Sequence, residues 1–347
     1  MPEPFRLGAI EVQPGSRVHA KLPVMQQPDG GMLGIPVIII HGASDGPRVY
    51  VSAGVHGDEP DGTAAVVDVA NSLDPSQLAG TFLGAPVVNV PAYLAKASVD
   101  VAGIRENPLD WKNLARVYPG RSDGTATERI AYVVSSQIFP AVDYAIDLHS
   151  GGARGTSLHL AGFVGVEGKL GRISLELAKL FPMETIWRAS PWAKISAVAI
   201  EKGVPLVLSE VTGQGRADNW DVEANVVGVR NIMKHLGMIE GEVERVPERR
   251  RYIDSETYIF ARNGGFLRPS VKTGDLIHEG QLIGITQDLY GNTLEEISSP
   301  LDGIVTGIRT KPVAWGGEML FLVAGFIPDP SQEGLAKTGV ADHITPP

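Results

Sequence analysis

The segment Val51–Gly62, "VSAGVHGDEPDG", ends an apolar run with His56 and Glu59 three residues apart. A turn has a use for the glycines and the proline, but none for an imidazole beside a carboxylate. Two further apolar runs end in a comparable way: "VDYAIDLHSGG" in Asp147 and His149 before a glycine pair, and "VPLVLSEVTGQG" in Glu210. Two neutral imidazoles and one carboxylate suffice for a catalytic zinc ion, which keeps its fourth tetrahedral position for water. Such an ion brings the pKa of its water to about 7 and polarises a carbonyl. Hydrolysis also requires a base that is not a ligand, and Glu210 is the spare carboxylate. Singly, each residue has a plainer reading: a surface ion pair, a histidine closing a strand, a helix cap. Jointly they fall at equivalent points along the chain, which favours one shared site. His41, in "IIIHGAS", also follows a strand but has no acid three residues on, and reads as structural.

The elements that must position these residues are legible from periodicity. "RVYVSAGV", "APVVNVP", "VDYAIDLH", "TSLHLAG" and "VPLVLSEV" read as strands, joining "IPVIIIHGA" before them. Between them "DGTAAVVDVANSL", "ATERIAYVVSSQIF", "GKLGRISLELAKLF" and "NVVGVRNIMKHLG" carry apolar residues at helical spacing. Alternating strands and helices predict an α/β fold: a mixed, largely parallel sheet with helices on both faces. In such sheets ligands bind at the carboxyl ends of the strands, so the three histidine- and glutamate-bearing ends line one rim.

The expected organisation is a catalytic α/β domain over residues 1–247, opened by a short β segment at 1–35 with "QQPDGGMLG" as a hairpin loop. Beyond the charged "EGEVERVPERRR", residues 248–326 are rich in glycine and lack helical periodicity, predicting a small all-β barrel-sandwich module. It contains two related halves, "GGFLRPSVKTGDLIHEGQLIGITQ" and "SSPLDGIVTGIRTKPVAWGGEMLFLV". The polar, Pro-rich 327–347 reads as a surface tail.

Composition narrows the chemistry. With no cysteine among 347 residues, disulfides, thiolate nucleophiles and cysteine-bound zinc are excluded, so any metal must rest on histidine and carboxylate. A formal charge of −10 argues against nucleic acid or an anionic membrane as partner. No apolar run reaches the ~18 residues of a membrane helix, and the amino terminus lacks signal-peptide character, so a cytoplasmic protein is expected. A homo-oligomer stays open.

"GVHGDEPDG", then "KNLARVYPG", then "IDLHSGG" together resemble the succinylglutamate desuccinylase/aspartoacylase family, within the wider zinc carboxypeptidase superfamily. The resemblance spans roughly residues 35–325. It implies one zinc ion per chain held by His56, Glu59 and His149, with Glu210 activating the water. It also implies Arg116 as the grip on a substrate carboxylate and Arg105 as the group steadying the scissile carbonyl's oxyanion. Ala115 departs from the family, which usually has asparagine there. Asn113, two positions earlier, is taken with Arg116 as substrate-binding. Arg154 and His159 are adjoining residues for which structural roles are favoured. The C-terminal module resembles the β domain of these enzymes, built like a biotinyl/lipoyl carrier, but "SPLDGIVTG" offers no carrier lysine; a structural role that narrows the cleft is expected. The expected reaction is removal of an acetyl or succinyl group from a small N-acylated amino acid. The alternatives are a zinc carboxypeptidase for short peptides and a non-catalytic metal-binding protein.

Overall fold

The computed structural model describes residues 2–98, 101–189 and 194–331. A ten-stranded sheet dominates it: β1 (Ser16–Gln26), β2 (Met32–His41), β3 (Ser44–Ser52), β4 (Ala79–Ala85), β5 (Tyr144–Ser150), β6 (Leu160–Val164), β7 (Thr185–Ala189), β8 (Leu206–Val211), β9 (Arg251–Ile253) and β10 (Phe326–Ile327). The spatial order is β10-β9-β7-β6-β8-β5-β3-β4-β2-β1. The four central strands β4, β3, β5 and β8 run parallel. Next to them β6 reverses against β8, and β7 and β9 follow its new direction.

Side chains alternate across a strand, and both faces here are buried, which explains the near-continuous apolar runs. Tyr50, Ala145, Leu206 and Leu208 face α2 (Ala126–Val133) and α4 (Lys194–Lys202). Val49, Val51, Ile146, Leu148 and Val207 face α1 (Pro60–Ser72), α3 (Lys169–Ala178) and α5 (Asn219–His235). Helix α1 lies directly on β5 because Gly62 has no side chain. A Cβ there would stand 2.8 Å from the Leu148 Cβ and 2.9 Å from that of Ala53.

Three expected elements need correction. "APVVNVP" is not a strand: β4 is the preceding "AGTFLGA", and Val90–Leu94 forms a short helix with Pro91 in its first turn. Glycines hid β4, where Gly84 makes room for the Phe82 ring and Val66. "TSLHLAG" is two strands, Gly155–Ser157 and β6, which enter different sheets. "ATERIAYVVSSQIF" is α-helical only to Val133, then widens into a π turn over Val134–Ile138 and tightens to a 3₁₀ turn at Phe139–Ala141.

The C-terminal strands form two antiparallel sheets around Leu267, Ile283, Val305, Leu320 and Phe321. The two related halves supply matching strands, 265–269, 276–277 and 282–287 against 303–309, 313–314 and 319–324. One of these sheets runs in the order 155–157, 303–309, 319–324, 257–260, so it takes in a strand from the α/β part. In return β9 and β10, from either end of the expected module, pair in the main sheet. Residues 332–347, most of the expected tail, lie outside the described residues.

Candidate metal centre

Register brings the strand ends together. Ser52 on β3 stands opposite Asp147 on β5, and His149 on β5 stands opposite Glu210 on β8. Alternation then puts Asp147, His149 and Glu210 on the face shared by Ala145 and Leu208. His56 and Glu59 come from the turn between β3 and α1. Glu59 occupies the N-cap position of α1 with Pro60 behind it, where the missing N–H costs nothing. The Glu59 side chain makes no capping bond and is free for the site. The turn is clasped by the neighbouring loop: Gly57 N–H donates to the Ile104 carbonyl at 2.8 Å. A Cβ on Gly57 would come within 2.2 Å of the Ala92 backbone. That close approach is the demand that the glycine meets.

His56, Glu59 and His149 place one ligand atom each within 4.8 Å of one another. His56 Nδ1 lies 2.7 Å from Glu59 Oε1, and His149 Nδ1 lies 2.9 Å from Glu59 Oε2. The far nitrogens are held as well, His56 Nε2 by Asn113 Oδ1 at 3.1 Å and His149 Nε2 by Asp147 Oδ2 at 3.0 Å. Ser52 Oγ donates to the other Asp147 oxygen at 2.7 Å. Carboxylate or carbonyl partners on the outer nitrogens fix ring orientation and leave the inner ones convergent, the usual support for metal-binding histidines. All three residues are buried. An N₂O set with this backing, and no thiol in the chain, fits a zinc-like ion.

The charges are strongly coupled. Burial opposes the Glu59 carboxylate, but His56 and His149 outweigh it and hold the carboxyl well below its usual range. Burial also works against the His149 cation, yet Asp147 and Glu59 raise its pKa well above that of free imidazole. His56 is lowered, by burial first and by Arg105 second. Glu210 stands outside the three-residue cluster. Burial, then Glu59 and Glu256, push its carboxyl well above the ordinary range, against His149 and Arg105.

The remaining expected residues spread around this centre. Arg105 Nη1 contacts Glu59 Oε1 at 3.1 Å. Asn113 leads the short turn Leu114–Arg116, where its Oδ1 accepts from Ala115 N–H at 2.9 Å as well as meeting His56. It therefore orients an imidazole. Arg116 is exposed, and its charge works against the burial that raises the Tyr258 hydroxyl. Arg154 pairs with Glu106 at 3.2 Å on the surface, and His159 sits 2.6 Å from Asp221 under the Trp220 ring. His41 is used up between Thr81 Oγ1 and the Glu3 carbonyl.

Sequence reasoning did not assign roles to Asp147, Asp58, Glu256 or Tyr258. Asp147 could have been found from alternation, because it precedes His149 by two on one strand face. Asp58 accepts from Ala153 N–H at 2.9 Å and so ties the His56 turn to the glycine loop after β5. Glu256 and Tyr258 arrive from the C-terminal strand 257–260 and its approach, too far along the chain for any local signal. Two surface hollows of ≈ 550 and ≈ 620 Å³, one near Tyr252 and the other near Arg48, hold none of these residues.

Residues 45–236 match the model of the succinylglutamate desuccinylase/aspartoacylase catalytic domain. The chain is 28% identical over 314 residues to an N-alpha-acetyl-L-2,4-diaminobutyric acid deacetylase of Halomonas elongata, covering 88% of this chain and 90% of the relative. The product-bound ectoine utilization protein EutE (DoeB) of Ruegeria pomeroyi superposes with a TM-score of 0.82 at 25% identity, over 93% of this chain and 98% of that one. A succinylglutamate desuccinylase/aspartoacylase of Rhodobacter sphaeroides gives 0.80 at 24%, over 90% and 96%.

Proposed function

The chain belongs to the succinylglutamate desuccinylase/aspartoacylase family, and we propose that it hydrolyses the amide bond of a small N-acylated amino acid at a zinc ion held by His56, Glu59 and His149. When bound, such an ion supplies a Lewis acid and an acidified water. Glu210 takes a proton on its carboxylate and returns it to the leaving amine. Burial raises its carboxyl above the ordinary range, which favours taking the proton up. Arg105 keeps further N–H donors beyond the one on Glu59 and turns them to the acyl oxygen, a kind of contact worth roughly 3–4 kcal/mol in the transition state. Arg116 binds the amino acid's carboxylate, with Tyr258 alongside as a second donor. Asn113 serves His56 on this reading, which leaves Ala115 without the amide the family usually carries and gives Arg116 the larger share of carboxylate binding.

The observation that carries the proposal is Glu210, in register with His149 yet outside the ligand cluster. It separates base from ligands as hydrolysis requires. The named activity of the Halomonas relative favours a small N-acyl amino acid over a peptide, and acetyl as the acyl group. The test is a panel of N-acetyl and N-succinyl amino acids and dipeptides given to zinc-loaded protein. Turnover of N-acetyl amino acids above dipeptides is expected; stoichiometric zinc with no turnover anywhere in the panel would defeat the reading.

A further inference from the structure

We propose that Asn113 is a positioning residue that tunes the metal through His56: its neutral amide, set where a carboxylate stands behind His149, lowers metal affinity and preserves the ion's electrophilicity. This rests on the metal centre proposed above and assigns its balance of charge.

The two imidazoles are oriented alike but backed unlike. Both turn Nδ1 to Glu59, at 2.7 Å for His56 and 2.9 Å for His149. Behind His149, Asp147 Oδ2 lies 3.0 Å from Nε2, and Ser52 Oγ holds the other Asp147 oxygen at 2.7 Å. Behind His56 the corresponding atom is Asn113 Oδ1, at 3.1 Å. An amide oxygen only accepts, so His56 Nε2 must carry the proton and Nδ1 keeps its lone pair for the ion. The same Oδ1 accepts from Ala115 N–H at 2.9 Å, which fixes the amide and divides its oxygen between two donors. Both tautomers are thus secured, but only His149 receives the charge of a carboxylate.

That difference has chemical weight. A carboxylate behind a ligating imidazole makes it a stronger donor, and such outer partners change metal affinity by roughly 10–100-fold. Glu59 and Asp147 already bring two negative charges to a doubly charged ion. A third behind His56 would leave the group net negative and weaken its pull on an acyl oxygen. Arg105, 3.1 Å from Glu59, works in the same direction as the neutral amide, since it draws charge from the ligand carboxylate.

The test is Asn113→Asp in the full-length protein, a swap that keeps the shape and can accept both bonds. Zinc affinity is measured by competition with a chelator, and turnover on the N-acyl amino acid panel. The variant should bind zinc roughly ten- to a hundredfold more tightly and lose kcat with little change in KM. Asp147→Asn should shift zinc affinity the other way. The double variant, with the carboxylate moved from His149 to His56, should return close to wild type. Unchanged zinc affinity in Asn113→Asp overturns the inference, because a merely structural amide would tolerate the swap. A raised KM at unchanged zinc affinity also overturns it and returns Asn113 to substrate binding. Wild type that binds no zinc defeats the centre and the inference together. Cobalt in place of zinc reads the same effect without turnover: its visible absorption bands should move in Asn113→Asp, and identical spectra would refute the role.

Discussion

Each residue of the centre makes a distinct demand on experiment. Removing either imidazole breaks an N₂O set that has no thiol to fall back on, so His56→Ala and His149→Ala should each lose stoichiometric zinc, read by metal analysis after dialysis. Glu210→Gln keeps the shape beside His149 and removes the basicity. Zinc should stay while kcat falls by about 10²–10⁴, the usual worth of a general base. Loss of metal in that variant with retention in His149→Ala would reverse the assigned roles. Arg116→Ala should raise KM steeply and lower kcat through lost orientation, and Arg116→Lys should recover only part, because an ammonium cannot offer the planar fork. The discriminating control is a substrate whose carboxylate has been converted to an amide: wild type should process it poorly, and Arg116→Ala should scarcely distinguish amide from acid.

At the scale of elements, the site depends on how closely α1 and its leading turn approach the sheet. Gly62→Ala would press a methyl against Leu148 and Ala53 and push Glu59, three residues earlier, away from His149. Overpacking of this kind costs about 1–3 kcal/mol, so chemical denaturation should show lowered stability and metal titration weaker zinc binding. This is also where the limits of sequence reading show. Strands β3, β5 and β8 were legible because burial on both faces writes them as unbroken apolar runs, and their shared direction put His56, His149 and Glu210 at one rim before any coordinates. β4 was not legible, because glycines that accommodate Phe82 and Val66 erase its pattern. Nor was the break in "TSLHLAG", where a strand leaves one sheet for another at a corner that periodicity cannot mark. Asn113 illustrates a subtler limit. Its place in a motif suggested substrate, while its contact with His56 Nε2 depends on a turn whose geometry only the fold supplies.

For the whole molecule, the C-terminal strands are woven into the α/β part as well as into sheets of their own. They close the β7 edge of the main sheet through β9 and β10. Ending the chain at residue 247 should therefore leave an unpaired β7 edge and yield aggregated protein by size-exclusion chromatography. The pairing of those two strands has another consequence. Tyr252 stands opposite Ile327 and Ile253 opposite Phe326, in antiparallel register, and Asp254 N–H donates to the Gly325 carbonyl at 3.1 Å. Topologically, β9 and β10 are a hairpin, and everything between residues 254 and 325 is its loop. The β module thus enters the main sheet as an insertion between two paired strands, and it is tied back to the α/β part a second time where Gly155–Ser157 pairs with 303–309. Cutting the insertion out would leave Gly155–Ser157 without its partner strand just beyond His149, so the module cannot be lifted away without disturbing the loop that follows the metal centre.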